Sequence, residues 1–266
     1  MNLGEATIEV TALRKSYGSH PVLDGIDLTV RKGETLVILG GSGSGKSTLL
    51  RCMIGLERPD AGTVKIRDID VFHADAPTLV ALRRQMGMAF QGGALFGSMT
   101  VAEDIEVPLR EFTRLAPTTR RIVARIKLGM VGLEDALDRR PSELSGGMRK
   151  RAALARALAL DPEILFFDEP SAGLDPVTAA GLDRLLLKLK DAFGVTLVVV
   201  THELDSAFAI ADRLALMHEG RFLIVDTPEV VRKCQDPVVR GFLDRRPSET
   251  LDGAARFRRF IDDLEV

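Results

Sequence analysis

The chain of 266 residues carries 36 Lys and Arg against 38 Asp and Glu, a formal net charge of -2, with 45% hydrophobic and 28% charged residues. That balance suits a globular protein with a large core and room for a second lobe, and it excludes intrinsic disorder. The even charge argues against nucleic acid as a partner, and no stretch reaches the roughly 18 consecutive apolar residues of a membrane-spanning helix. Cys52 and Cys234 stand far apart with no Cys-x-x-Cys or Cys/His cluster, so a reducing compartment is expected and neither a zinc site nor a disulfide framework is. Met1 to Thr7 has neither a basic start nor an apolar core, and no secretory signal is expected.

Ile8 to Leu13 and Val22 to Val30 are β-rich runs separated by the turn-like stretch Tyr17 to Pro21, which predicts an antiparallel β layer. Tyr17 is expected to pack half-buried in this hairpin; its alternative role is a face on which a purine base stacks. Lys32-Gly33-Glu34 turns the chain into the apolar run Leu36 to Leu39. Directly after it, Gly40-Gly41-Ser42-Gly43-Ser44-Gly45-Lys46-Ser47-Thr48 satisfies G-x-x-x-x-G-K-[ST]. Four glycines leave backbone N–H groups free to turn on an anion, Lys46 supplies a point charge near the β and γ phosphates, and Ser47 offers a hydroxyl to Mg²⁺. Thr48 to Ile54 continues as a helix whose N-terminus favours phosphate, so the stretch reads as a nucleotide cradle rather than a flexible Gly/Ser loop.

Asp60-Ala61-Gly62 and the alternating Thr63 to Ile66 predict a further hairpin. From Ala81 a charged stretch leads into a strand expected to end at Gln91, whose amide is either a cap or a ligand for Mg²⁺ or the attacking water. Gly92 to Phe96 is apolar, either core or a groove for a partner helix. Thr100 to Met130 reads mainly as helix, with Thr100 and Glu103 as a capping box and Pro108 and Pro117 dividing it. Ile122, Val123, Ile126 and Met130 recur at helical spacing as its apolar face, while Arg120, Arg121, Arg125 and Lys127 fill solvated faces. A helical block between strands, about residues 98–160, predicts a separate lobe.

Ser145, Gly146 and Gly147 precede a run of high helix propensity and occupy its N-terminus, either as a second anion site or as an ordinary Ser/Gly cap. Ile164 to Phe167 is a strand covered on both faces that ends in Asp168-Glu169-Pro170. Adjacent carboxylates at a buried strand end need a cation or hydrogen bonds, so Asp168 is expected to hold Mg²⁺ and Glu169 to polarise the attacking water. Ser171 to Pro176 is a turn in which Asp175 serves as a cap or an interface residue. Val195 to Thr201 is a third buried strand, and His202 at its end is a candidate sensor of the γ-phosphate. Arg213 to Met217 and Arg221 to Val225 form a hairpin, and Thr227-Pro228-Glu229 begins a short helix. Residues 1–246 are expected to form one nucleotide-binding domain. Arg245 to Ser248 is a linker, and the tail 247–266 carries an amphipathic helix with Phe257, Phe260, Ile261 and Leu264 on one face.

Taken in this order, the motifs resemble those of the ATPase subunits of ABC transporters over roughly Ile8 to Phe242. Ser16-Tyr17-Gly18 is similar to the adenine-stacking loop, Gly40 to Thr48 to Walker A and Gln91 to the Q-loop. Leu144 to Met148 is similar to the signature, Ile164 to Glu169 to Walker B, Ser171 to Asp175 to the D-loop and His202 to the switch histidine. The resemblance implies an α/β P-loop ATPase with a mainly parallel core sheet flanked by helices, an antiparallel β subdomain and an inserted helical subdomain. It implies ATP held by Tyr17, by Gly40 to Thr48 and, from a second copy, by Ser145, Gly146, Gly147 and Asp175. Mg²⁺ would lie on Ser47, Gln91 and Asp168, and hydrolysis would rest on Glu169, His202 and Gln91.

Met148 stands where the usual signature has Gln. With Gln91 to Val101 and Val107-Pro108-Leu109 it resembles the Mla/Mce-type ATPases of bacterial lipid transport. That narrower resemblance implies an integral membrane permease seated over Gln91 to Phe96, an MCE-domain lipid-binding protein and, in some members, a small STAS-domain partner, at the cytoplasmic face of the bacterial inner membrane. The alternatives are the ATPase of an importer of amino acids or another small solute, and a non-transport ABC ATPase acting on nucleic acid.

Overall fold

The computed structural model describes residues 4–245. The chain divides into one compact unit up to Val231 and a second from Arg232. Strands β1 (Ala6–Tyr17) and β2 (His20–Arg31) run past the expected Ile8 to Leu13 and Val22 to Val30, because Tyr17 pairs with His20 across a two-residue Gly18-Ser19 turn. An irregularity between Val10 and Leu13, with Ala12 at φ 46 and its N–H on Asp27 Oδ1 at 2.8 Å, interrupts the alternation and conceals the strand's full length. The chain continues into β3 (Thr35–Gly40) and helix α1 (Lys46–Met53), then β4 (Ala61–Ile66), β5 (Ile69–Asp70), α2 (Ala76–Arg84) and β6 (Met86–Ala89). Helices α3 (Val101–Phe112), α4 (Pro117–Met130) and α5 (Gly146–Ala157) follow, with two 3-10 turns between α4 and α5. The remainder is β7 (Ile164–Asp168), α6 (Pro176–Phe193), β8 (Thr196–Thr201), α7 (Leu204–Ile210), β9 (Arg213–His218), β10 (Arg221–Asp226) and α8 (Pro228–Lys233). In the second unit, α9 (Pro237–Leu243) is capped by Asp236; the expected tail helix lies outside the described residues.

Two sheets organise the first unit. One is four-stranded and antiparallel, in the order β2-β1-β4-β5; the other is six-stranded, in the order β10-β9-β3-β8-β7-β6. In the second sheet every pairing is parallel except that of β9 with the edge strand β10. Every residue of β3 and β8 is buried, as continuous apolar runs with helices on both faces require. One apolar cluster joins the sheets through α1, whose Leu49, Leu50, Cys52 and Met53 are buried with Ile8, Leu28 and Ile66 on one side and Ile38, Phe166 and Val198 on the other. Burial pushes the Cys52 thiol up to about 11, which leaves it inert at neutral pH.

Three expectations require correction. The strand expected to reach Gln91 stops at Ala89, opposite Phe167, because the chain then turns, with Gly93 N–H on Phe90 O at 2.8 Å and both Gly93 and Ala94 at positive φ. Pro108 does not divide the helical stretch. It lies inside α3, whose N-terminus is held by the Thr100/Glu103 capping box, and the break falls at 113–116, just before Pro117 opens α4. The buried face of α4 is also not the expected one. Ala124, Lys127 and Leu128 turn inward while Ile122 and Ile126 are 60% and 56% exposed, because α4 packs on α3 and α5 through its narrow Ala124/Leu128 face. The buried Lys127 is paired with Asp161.

This orientation predicts unequal costs on α4. Leu128→Ala is expected to lose about 2–5 kcal/mol by leaving a cavity, whereas Ile126→Ala changes stability by no more than about 0.5 kcal/mol. The midpoints of urea unfolding measure both.

Candidate active site

Parallel register brings the functional residues to one edge. Leu39 of β3 lies opposite Thr201 of β8, and Val200 of β8 lies opposite Asp168 of β7. The chain therefore leaves β3, β8 and β7 side by side, into the glycine loop, His202 and Glu169 respectively, beyond the carboxyl ends of the strands where open α/β sheets bind ligands.

The glycine loop fits a polyphosphate by two observations. A Cβ on Gly40 would sit 2.4 Å from Met217 O, and one on Gly45, which caps α1 at φ 104, would sit 2.7 Å from Val22 O; at Gly41 and Gly43 the space is open. Glycine is thus required inside the loop for close packing and leaves its rim clear. Ser44 Oγ is buried with no hydrogen-bond partner among the described residues. The loop is braced from outside, with Gly220 N–H donating to Ser44 O at 3.1 Å while Gly220 O accepts Asp24 N–H at 2.9 Å. Inside it, Lys46 Nζ donates to Gly40 O and Gly41 O, both at 2.8 Å. Burial holds the Lys46 pKa below its ordinary value, against the opposing charges of Glu169 and Asp168.

Ser47 Oγ donates to Asp168 Oδ1 at 3.3 Å, which brings two hard oxygen groups together at the start of α1. Such a pair suits Mg²⁺, which takes one or two protein oxygens and completes its shell with phosphate and water. Among the described residues no group of three or more His, Cys, Asp or Glu could hold a metal by itself. Burial pushes the Asp168 carboxyl above its ordinary value; the Ser47 hydrogen bond opposes this and the Glu169 charge adds to it.

Glu169, 8% exposed, has its carboxylate fixed by three contacts: His202 Nδ1 at 2.9 Å from Oε1, and Thr201 Oγ1 at 3.1 Å and His202 N–H at 3.4 Å from Oε2. An ionised carboxylate only accepts, so Nδ1 carries the proton in this pair. The backbone of Glu169 is left-handed, at φ 52, a conformation rare outside glycine. A carboxylate held this way, next to the Asp168/Ser47 pair, can take a proton from a water attacking the terminal phosphate.

The other expected site residues fall in three places. Tyr17 is half-buried at 47% exposure in the β1–β2 hairpin, with Lys15 Nζ 5.5 Å from its ring centroid, and its exposed part leaves ring area for a base. Gln91 sits beyond β6, beside the end of β7, and its carbonyl accepts Lys150 Nζ at 2.9 Å. Ser145 caps α5, its Oγ accepting Met148 N–H at 3.3 Å. The start of α5 lies against α6: a Cβ on Gly147 would sit 2.6 Å from Thr178 Cγ2, and Asp175 caps α6 by accepting Val177 and Thr178 N–H at 3.0 Å. Hydrogen bonds from Thr178 hold the Asp175 carboxyl below its ordinary value. The two phosphate-type helix starts have different neighbours, since α1 packs on β2, β3, β7 and β8 and α5 on α3, α4, α6 and β6. Reading the sequence missed Thr201, which carried no signal beyond closing its strand, and Lys150, whose only signal was a cation one turn inside a glycine-started helix.

The profile of the ABC transporter family matches residues 23–172, more than half of the chain. This chain belongs to that family. The ABC ATPase is 40% identical over 241 residues to the intermembrane phospholipid transport ATP-binding protein MlaF of Escherichia coli, covering 91% of this chain and 88% of that one. It is 41% identical over 247 residues to the L-cystine import ATP-binding protein TcyN of Bacillus subtilis, covering 92% and 95%. Its fold superposes with TM-score 0.77 and 34% identity on a dimeric ATP-binding cassette solved in a post-hydrolysis state with ADP and Pi, covering 83% of this chain and 98% of that one. The protein binds and hydrolyses ATP.

Asp168 yields a prediction with opposite signs for stability and function. Its raised folded-state pKa means that the folded ABC ATPase holds this proton more tightly than the unfolded chain does. The resulting stabilisation is fully present below the ordinary carboxylate pKa and is lost as pH rises through the folded value. Asp168→Asn is therefore expected to raise the nucleotide-free unfolding midpoint relative to the native chain as pH increases from 4 to 7. The same change should lower Mg²⁺-dependent hydrolysis about a hundredfold. Urea unfolding across pH and ATPase assays across Mg²⁺ concentration measure the two.

Proposed function

We propose that two copies of this ABC ATPase close on ATP and drive a membrane permease that moves phospholipid or a related lipid with an MCE-domain protein. The observation that carries the pairing is the separation just described: one chain holds a glycine cradle on α1 and a second phosphate-type helix start on α5, in different packing environments. Each start completes a site only with a twin, so Ser145, Gly146 and Gly147 of one copy would cover the triphosphate held by Gly40 to Thr48 of the other. The dimeric state of the similar ADP-bound cassette supports this arrangement.

Within each site Lys46 and the loop N–H groups hold the β and γ phosphates, and Tyr17 offers a face to the adenine. Ser47 and Asp168, with Gln91 from the loop after β6, would hold Mg²⁺, which when bound neutralises charge on the phosphate oxygens. Glu169 accepts the proton of the attacking water, and His202, fixed by Glu169 on one side, senses the terminal phosphate. Residues 98–160 act as the helical lobe that meets the permease, with Phe90 and Phe96, 38% and 49% exposed, on the receiving loop. Among the described residues no helix is long and apolar enough to cross a membrane, so attachment to the cytoplasmic face of an inner membrane would run through the permease. A STAS-domain subunit is a further candidate partner.

Lipid cargo is supported by the likeness to MlaF together with Met148 in the signature. The equal likeness to TcyN favours a second reading, an importer of an amino acid or similar solute with the same ATPase chemistry. Purification from membranes with mass spectrometry of bound proteins and lipids distinguishes the two. An MCE-domain protein and phospholipid are expected; an amino-acid permease without them would establish the second reading. For the chemistry, Glu169→Gln is expected to lower kcat by about a hundredfold or more while ATP-dependent pairing persists, measured by phosphate release and light scattering.

A further inference from the structure

Lys150 lies one turn inside α5, and its Nζ bridges two backbone carbonyls, Glu169 O at 2.8 Å and Gln91 O at 2.9 Å. The first belongs to the left-handed Glu169, at φ 52. A non-glycine residue keeps such a conformation only where its surroundings over-determine it. Two bonds do so, since Glu169 N–H donates to Val200 O at 2.8 Å on one side and Lys150 fixes the carbonyl on the other. The orientation of this peptide sets the direction of the side chain, whose carboxylate then meets Thr201 and His202.

The second carbonyl belongs to the loop that follows β6. The same helix grips that loop again nearly two turns further on, where Arg156 donates to Ala94 O at 2.6 Å, Gly93 O at 3.0 Å and the fully buried Asp104 at 2.9 Å. Asp104 in turn accepts Phe96 N–H at 2.5 Å. Residues 91–96 are thus attached to α5 at both ends, and the Gln91 end shares one ammonium group with the hydrolytic glutamate. Burial lowers the Lys150 pKa while the charges of Glu169 and Asp168 oppose that shift.

We propose that Lys150 is a positioning residue for ATP hydrolysis, holding the Glu169 peptide and the Gln91 loop in one fixed relation to α5 and so aiming the Glu169 carboxylate. The proposal rests on Glu169 acting as the base in the paired enzyme. A side chain that aims a base without touching nucleotide alters kcat and spares binding, because a small misplacement of the base is costly only in the transition state. Arginine can supply two donors to the same carbonyls, whereas methionine keeps the aliphatic stem and removes them.

In the full-length protein, Lys150→Met is expected to lower kcat about ten- to a hundredfold, leave KM and the affinity for fluorescent ADP within about twofold, and leave ATP-dependent pairing intact. Lys150→Arg is expected to recover most of the lost kcat. Native kcat in Lys150→Met overturns the proposal. So does a loss in which ADP affinity or pairing falls with kcat, or which Lys150→Arg does not repair, because the lysine would then only hold the fold together. Glu169→Gln separates the two levels. If that variant keeps native turnover, the reading of the base fails and the proposal with it; if it is inactive while Lys150→Met is native, the proposal alone fails.

Discussion

Parallel pairing of β3 with β8 and of β8 with β7 is the constraint on which the site depends. The ladders advance residue for residue, so the last residues of three strands, Gly40, Asp168 and Thr201, come level with one another although they are far apart in the chain. Because the interior of the sheet is dry, polar groups can gather only where the strands end, and all three strands end on the same side. The glycine loop, the Asp168-Glu169 pair and His202 are neighbours for this reason and for no local one. The apolar cluster shared by α1 and both sheets keeps the ladder rigid under them.

At that edge charge and desolvation act against each other. Lys46 and Lys150 are depressed by burial and supported by the same two carboxylates, while Asp168 is raised by burial and by its neighbour Glu169. Burial therefore works against every one of these charges, and the site is stable only because the opposite charges lie within reach of each other. A cation between Ser47 and Asp168 would offset the burial of the Asp168 charge, which is the physical argument for the Mg²⁺ proposed there.

Helix α5 combines two tasks that its composition keeps apart. Its run of alanines, Ala152, Ala153, Ala155 and Ala157, lets it lie close against β6 and α6, while its cations reach past that packed face to the backbone of the loop after β6. Small residues give close approach, and long side chains reach the carbonyls of residues that no strand pairs. The same logic explains α4, where a narrow Ala124/Leu128 face packs and the larger isoleucines are left outside.

Much of this was legible in the residues themselves. The glycine loop, the strand runs ending in Gly40, Asp168 and Thr201, and the caps at Thr100, Ser145 and Asp175 are local patterns, governed by steric freedom, desolvation and unsatisfied N–H groups within a few residues. What stayed hidden depended on distant partners. The extension of β1 and β2 hung on a bulge, and the inward face of α4 hung on which of its sides α3 and α5 could fit. Gln91 falls beyond its strand because β6 ends where its pairing with β7 ends. The sequence by itself determined the chemistry available and the elements that carry it, since those follow from neighbours along the chain. Only the tertiary structure decided that Thr201 and His202 hold the Glu169 carboxylate, that Lys150 holds its peptide, and that the two phosphate-type helix starts stand apart. Each of those is a meeting of segments whose approach is set by sheet order and core packing, which no local pattern encodes.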